Sequence, residues 1–342
     1  MKKILIAEER KEDIKDFYNT KKDIYNPVPV FSFLSEDDID QGIVELIDVP
    51  KLEQEIQVIE EKSKGKKCII AKTGFIICLA GWNEYPELTK MLTIAREWAF
   101  RNSGGGVGSN DYDEFDLKPE MMQLIIIDPN YSDIKGCIVG GYRYVIHSKE
   151  TYKTGPMGDH FHFSEQWKSE QWIELGRSFV NPFLQKTSGR HSIDYVLHGL
   201  GYIFAQHPNS AGYFGKVTLY NIYEQVGAHA FFLATAKKYF HESNDVSVHK
   251  EERISEGELT EAQITTLNKD TFKGLFYILR NEYKINLVPI MAVYNRMVDL
   301  KKMYYFGGFR HDAFGNTTEV GIAIAYKDLY DVTKEKFVEP YI

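Results

Sequence analysis

From Pro86 onward, Leu88, Met91, Leu92, Ala95, Trp98 and Ala99 recur at the three- and four-residue spacing of one helical face. A proline suits the first turn of such a helix, where its missing N–H costs nothing. The same rhythm returns in Ile193, Val196, Leu197, Leu200 and Phe204, and further helices are expected near residues 51–62, 223–240, 271–283 and 288–300. Between them lie shorter apolar runs rich in β-branched and aromatic residues, at 68–79, 123–128, 136–147, 172–180, 214–220, 303–310 and 319–326. These runs are read as strands. Asp128-Pro-Asn130 and Asp133 supply turn chemistry between the second and third, which predicts a hairpin. The fold class is α/β (α+β), a mixed sheet flanked by helices. Residues 1–66, charge-rich and broken by Pro27, Pro29 and Pro50, are read as an N-terminal extension to a domain over 67–342. The polar stretch 243–268 is expected to be a surface excursion.

With 342 residues the chain has room for one large or two ordinary domains. Its 43% hydrophobic and 26% charged residues match a globular protein with a real core. The balance of 41 Lys and Arg against 49 Asp and Glu leaves a formal charge of −8, which disfavours nucleic acid as a partner. Cys68, Cys78 and Cys137 fit no zinc or redox spacing and are read as strand-core thiols in a reducing compartment. The opening run is followed at once by acidic residues, so a signal peptide is not expected. The longest apolar runs fall short of the roughly 18–20 residues of a spanning helix. A cytoplasmic location is expected, with at most peripheral contact at the cytoplasmic face of the inner membrane. His160 and His162 share one strand face but lack a third ligand at useful spacing, so no metal is expected.

Three charged residues fall inside strand-like runs: Arg143, Glu174 and Arg177. Buried charges need partners, because an unpaired one costs several kcal/mol. The acidic segment Asp111, Asp113, Glu114 and Asp116 could supply carboxylates to both arginines. On a regular strand the three-residue offset sends Glu174 and Arg177 to opposite faces. A bulge or a substrate channel at the edge would alter that. The alternatives left open are a functional site and a structural ion-pair network. Arg96 and Arg101 are read as helix-surface or network residues.

The motifs Arg96-Glu-Trp-Ala-Phe-Arg101, Gly104-Gly-Gly, Asp113-Glu-Phe-Asp116, Gly140-Gly-Tyr-Arg143 and Glu174-Leu-Gly-Arg-Ser-Phe-Val180 follow one another in order. Together they resemble the GNAT-fold N-acyltransferases of the ornithine-lipid and glycine-lipid type, often labelled hemolysin-like, and the skeleton is similar to acyl-homoserine-lactone synthases. The tail Phe306-Gly-Gly-Phe, Asp312-Ala-Phe-Gly315 and Val320-Gly-Ile-Ala-Ile324 resembles the closing strands of the amino-lipid branch.

The resemblance implies a GNAT-like, splayed central sheet and transfer of a long, or long 3-hydroxylated, acyl group from acyl carrier protein to an amino acid's α-amine. This would be the first step of amino-acid lipid synthesis. No tightly bound cofactor is implied; acyl carrier protein or coenzyme A brings the acyl group as a co-substrate. Attack requires the ammonium to lose a proton, and a carboxylate is the natural base. Glu174 is the first choice and Asp116 the second. Arg143, Arg177, Asp113 and Arg101 are assigned to substrate binding, and Tyr223 to protonating the leaving thiolate. The pantetheine arm is expected between the 172–180 and 214–220 strands, with its phosphate at Gln185, Lys186, Ser188, Gly189 and Arg190. Lys186, Arg190, Lys216, Lys237 and Lys238 would make a basic patch for an acidic carrier protein. The chain departs from the Gln/Arg-x-x-Gly-x-Gly/Ala run of acetyl-coenzyme-A-dependent relatives. Acetyl or short-chain transfer from coenzyme A to a small amine, and a noncatalytic binding protein of the same fold, are the rival readings.

Overall fold

The computed structural model describes residues 47–102, 106–107, 110–185, 192–220, 227–311 and 317–342. Its main helices are α1 (Val49–Ser63), α2 (Pro86–Asn102), α3 (Ser192–Gln206), α4 (Ala228–Tyr239), α5 (Glu261–Lys269), α6 (Thr271–Asn281), α7 (Pro289–Met297) and α8 (Asp331–Phe337). The strands are β1 (Ile69–Ile70), β2 (Phe75–Gly81), β3 (Met122–Ile127), β4 (Ile138–Ile146), β5 (Phe161–Phe163), β6 (Trp172–Val180), β7 (Gly212–Leu219), β8 (His241–Glu242), β9 (Val246–Val248), β10 (Tyr304–His311) and β11 (Thr317–Ala325). These elements form two compact units, one built from residues 47–146, 173–210 and 331–342, the other from 147–172 and 211–330. No helix among the described residues is long and apolar enough to cross a membrane.

In the first unit β1, β2, β3, β4 and β6 pair antiparallel in that order. The run at 68–79, expected as one strand, is a hairpin instead, because the chain turns at Gly74 (φ 76°). Helices cover both faces of this sheet. Leu124 and Ile126 press against Gly199 of α3, where an added Cβ would come within 2.7–3.0 Å of their side chains. Strand alternation then turns Gln123 and its partner Arg143 to the other face, toward α2. The boundary expected at residue 66 falls inside this unit, for α1 buries Leu52, Ile56 and Ile59. Glu55 of α1 also accepts hydrogen bonds from Glu87 N (3.2 Å) and Leu88 N (2.8 Å), capping the start of α2.

In the second unit β7, β11 and β10 run antiparallel, and β8 adds in parallel to β10. Its core is aromatic: Tyr152, Phe161, Phe163, Trp167, Trp172, Phe214, Phe306 and Phe309 cluster together, with Trp167 and Trp172 stacked at 4.1 Å. The stretch 243–268 is not only a surface excursion. Val246 and Val248 pair with Phe163 and Phe161 and enter that core. A three-residue strand in a polar setting is too short to show as alternation.

Candidate active site

Arg96 lies four residues after Leu92 on α2, inside the apolar stripe rather than on the helix surface, and it is buried. Of the two readings open to it, helix surface or ion-pair network, this placement fits the network, and the signal was its position eight residues after Leu88 on the same face. A guanidinium so placed must be met by carboxylates, and the loop after α2 brings them. Asp111 N donates to Thr93 O (3.2 Å), stitching the loop to the helix. Asp113 Oδ1 accepts from Phe115 N (3.0 Å) and Asp116 N (3.2 Å), which winds the Asp113-Glu-Phe-Asp116 segment around its own first carboxylate.

The result is a closed circuit of alternating charge. Arg96 donates from Nε to Asp111 (2.8 Å) and from Nη1 and Nη2 to Asp116 (3.0 and 3.2 Å). Arg143 Nη1 reaches both Asp116 (3.1 Å) and Asp113 (2.5 Å). Arg177 closes the circuit, with Nη2 on Asp113 and Nη1 on Asp111, each at 2.8 Å. Gln123 adds a hydrogen bond from Nε2 to Asp116 (2.9 Å). Sequence reasoning had passed over Gln123; its signal was a lone polar residue opening an otherwise apolar strand. Each desolvated charge has two opposite neighbours, the condition under which a buried ion pair can be tolerated.

Arg177 joins the circuit because β6 is bulged. Gly176 pairs with Arg143 and Phe179 with Gly141, so that Arg177 and Ser178 together face the single residue Tyr142. Arg177 takes a left-handed backbone (φ 51°), the geometry of a bulge position usually held by glycine. The extra residue cancels the three-residue offset and returns the Arg177 side chain to the face of Arg143. Glu174 pairs with Val145, two residues from Arg143, and so shares that face too. It is buried. On the far side of the strand pair the chains approach closely: a Cβ at Gly141 would lie 2.2 Å from Leu124 O, which only glycine allows.

The electrostatics follow from the pairing. Burial opposes ionisation of Asp113, yet Arg143 and Arg177 outweigh it and hold the carboxyl well below the usual range. Asp116 is lowered likewise, burial being outweighed by Arg96 and Arg143. Burial would lower Arg96, but Asp111 and Asp116 raise it.

Other expected site residues lie apart from the circuit. Arg101 donates from Nε to the buried Glu97 (2.7 Å), whose second oxygen accepts from Val107 N (2.9 Å). Gln185 ends a one-turn helix, Pro182–Gln185. Lys186, Ser188, Gly189, Arg190 and Tyr223 lie outside the described residues. Of the expected basic patch, Lys237 pairs with Glu256 (3.3 Å) and Lys216 sits over the Phe309 ring. His160 bonds Glu252 (3.0 Å) and stacks on Phe309.

Residues 95–193, which span the circuit and Glu174, match the family model described as an acetyltransferase (GNAT) domain. A glycine N(alpha)-acyltransferase from Bacteroides thetaiotaomicron is 32% identical over 274 residues, covering 75% of this chain and 79% of that protein. A second glycine N(alpha)-acyltransferase, from Phocaeicola vulgatus, is 29% identical over 282 residues, covering 76% and 83%. Among solved structures, FeeM, an N-acyl amino acid synthase from uncultured soil microbes, overlaps 47% of this chain and 76% of its own at a TM-score of 0.28 and 8% identity. An aminoglycoside 6'-N-acetyltransferase complexed with coenzyme A overlaps 72% and 96% at a TM-score of 0.32 and 10% identity. Overlaps that loose place no residue. The sequence relatives suffice: the chain belongs to the GNAT-fold N-acyltransferase family, and the protein is an acyltransferase that takes its acyl group from a thioester co-substrate.

Proposed function

We propose that the protein acylates the α-amine of a small amino acid, glycine first among them, with a long acyl chain carried as a thioester on acyl carrier protein. The observation that supports this most is the shared face of Glu174, Arg143 and the bulged Arg177. Glu174 takes the proton from the acceptor's ammonium, directly or through one water, and the free amine attacks the thioester carbonyl; collapse of the tetrahedral intermediate breaks the C–S bond, and the departing thiolate takes the second proton that the nitrogen loses. Asp116 is a poor base, since it already accepts from Arg96, Arg143 and Gln123 and the two arginines hold its carboxyl below the usual range. The bulge interrupts the strand ladder, so backbone N–H groups near Arg177 and Ser178 are suited to receive the tetrahedral oxyanion. The same part of β6 is half-buried at Leu175, Gly176 and Arg177 and exposed at Ser178, which leaves room for the pantetheine arm. The product is a single-chain amphiphile that would pass to a membrane surface.

Purified protein is incubated with glycine and either long-chain acyl carrier protein or acyl coenzyme A, and products are read by mass spectrometry. N-acylglycine is expected, more with the carrier protein. Glu174→Gln is expected to lower kcat by about 10²–10⁴-fold with an unchanged melting temperature. Absence of any N-acyl amino acid from the wild type would overturn the proposal.

A further inference from the structure

Arg143 spends only part of its donor set on the circuit. Its ion pairs to Asp113 and Asp116 each run from Nη1. Its Nε is buried and has no hydrogen-bond partner among the described residues, on a side chain only 5% exposed. A buried donor of a charged group left unpaired is costly, which points to an acceptor supplied from outside the chain.

The surroundings of that donor say what the acceptor is. Gly176 pairs with Arg143 across the strands. A Cβ at Gly176 would lie 3.9 Å from both Nε and Nη2 of Arg143, with nothing nearer. The only heavy atoms within 4 Å of that Cβ belong to the Nε–Nη2 edge, and this edge of a guanidinium grips a carboxylate through two parallel N–H···O bonds. Glu174 is the next residue along β6 on the same face, about 7–8 Å away as a diagonal cross-strand neighbour of Arg143. The circuit itself is balanced, three aspartates against three arginines. A zwitterion fits that pattern: carboxylate toward Arg143, ammonium toward Glu174, no net charge added.

We propose that the Nε–Nη2 edge of Arg143 seats the carboxylate of the acceptor amino acid, and that Gly176 is a specificity-determining residue whose bare Cα keeps the seat open. Arg177, with both terminal nitrogens on aspartates, is then a positioning residue rather than a second clamp. This rests on the amino-acid acceptor proposed above and adds where its carboxylate binds.

The test is Gly176→Ala, which introduces no close contact and so folds. The KM for glycine is expected to rise about 10- to 200-fold, as a methyl misplaced in a fitted site does. The kcat at saturating glycine and the melting temperature stay as in the wild type. An unchanged KM for glycine overturns the proposal. A second measurement needs no acyl transfer. In protein labelled with ¹⁵N-arginine, the Arg143 Nε–H resonance, assigned by its contact to Gly176, is expected to shift on titration with glycine but not with glycinamide. The glycine concentration needed should be about 10-fold higher or more in Gly176→Ala. A resonance that ignores glycine overturns the carboxylate seat. If it responds while no N-acyl amino acid is ever formed, the seat stands and the proposed reaction falls.

Discussion

Arg143 and Arg177 share the carboxylate of Asp113, one oxygen each: Arg143 Nη1 lies 2.5 Å from Oδ1 and Arg177 Nη2 lies 2.8 Å from Oδ2. The two arginines stand on neighbouring strands, β4 and β6, so a loop residue fixes the spacing of two strand side chains. Remove that loop carboxylate and two cations face each other across a strand pair.

The innermost carboxylate should matter most for stability. Asp116 is fully buried and holds Arg96, Arg143 and Gln123. Asp116→Ala leaves two buried guanidinium groups short of a partner, and urea unfolding should report a loss of about 3–5 kcal/mol. A loss below about 1 kcal/mol would mean that water reaches the circuit freely.

The left-handed backbone of Arg177 can be separated from its charge. Arg177→Gly and Arg177→Ala remove the same two ion pairs, but only glycine is at ease at φ 51°. The glycine variant should therefore be the more stable of the two by about 1–2 kcal/mol in denaturant titrations. Equal stabilities would show that the bulge relaxes once the arginine is gone.

Acid should loosen the circuit in a defined window. Arg143 and Arg177 hold Asp113 below its ordinary pKa despite burial, and Arg96 and Arg143 do the same for Asp116. Both carboxyls ionise more readily folded than unfolded, where Asp titrates near about 3.9. Their stabilisation is therefore complete above about pH 5 and is lost as pH falls below about 4 toward the depressed folded values. The urea midpoint should be flat with respect to this pair from neutral pH down to about 5 and then decline, less steeply in Asp113→Asn. An unaltered slope in that variant would count against the pairing.

Burial raises the thiols of Cys78 and Cys137, each to about 12. At pH 8 almost none of either is thiolate, the form that reacts. All three cysteines are buried and free. Ellman's reagent should find no fast-reacting thiol in the native protein and three after denaturation. A fast native reaction would reveal an opening of the β2 or β4 side of the sheet.

Much of this arrangement was legible from residue order. The apolar stripe from Leu88 to Ala99 defines α2, and Asp128-Pro-Asn130 marks the β3–β4 hairpin, because both rest on local periodicity and turn chemistry. Charged residues within apolar strands pointed to Arg143, Glu174 and Arg177, and the fold brings these three to one face of the sheet. What escaped was whatever depends on tertiary context. Arg96 was open to a surface or a network reading because a helix wheel does not reveal how wide its buried sector is, and α2 is buried nearly all round. The Arg177 bulge has no glycine to announce it. Val246 and Val248 reach the core only because Phe161 and Phe163, more than eighty positions earlier, pair with them.

A bulge that carries a side chain back to its starting face turns strand length into part of the chemistry. Deleting one residue between Glu174 and Phe179 would restore an even pleat. The guanidinium would then swing to the sheet's opposite surface and leave Asp111 and Asp113 each short of a partner. Insertions and deletions in this short segment should thus be tolerated far less than most exchanges of side chain within it.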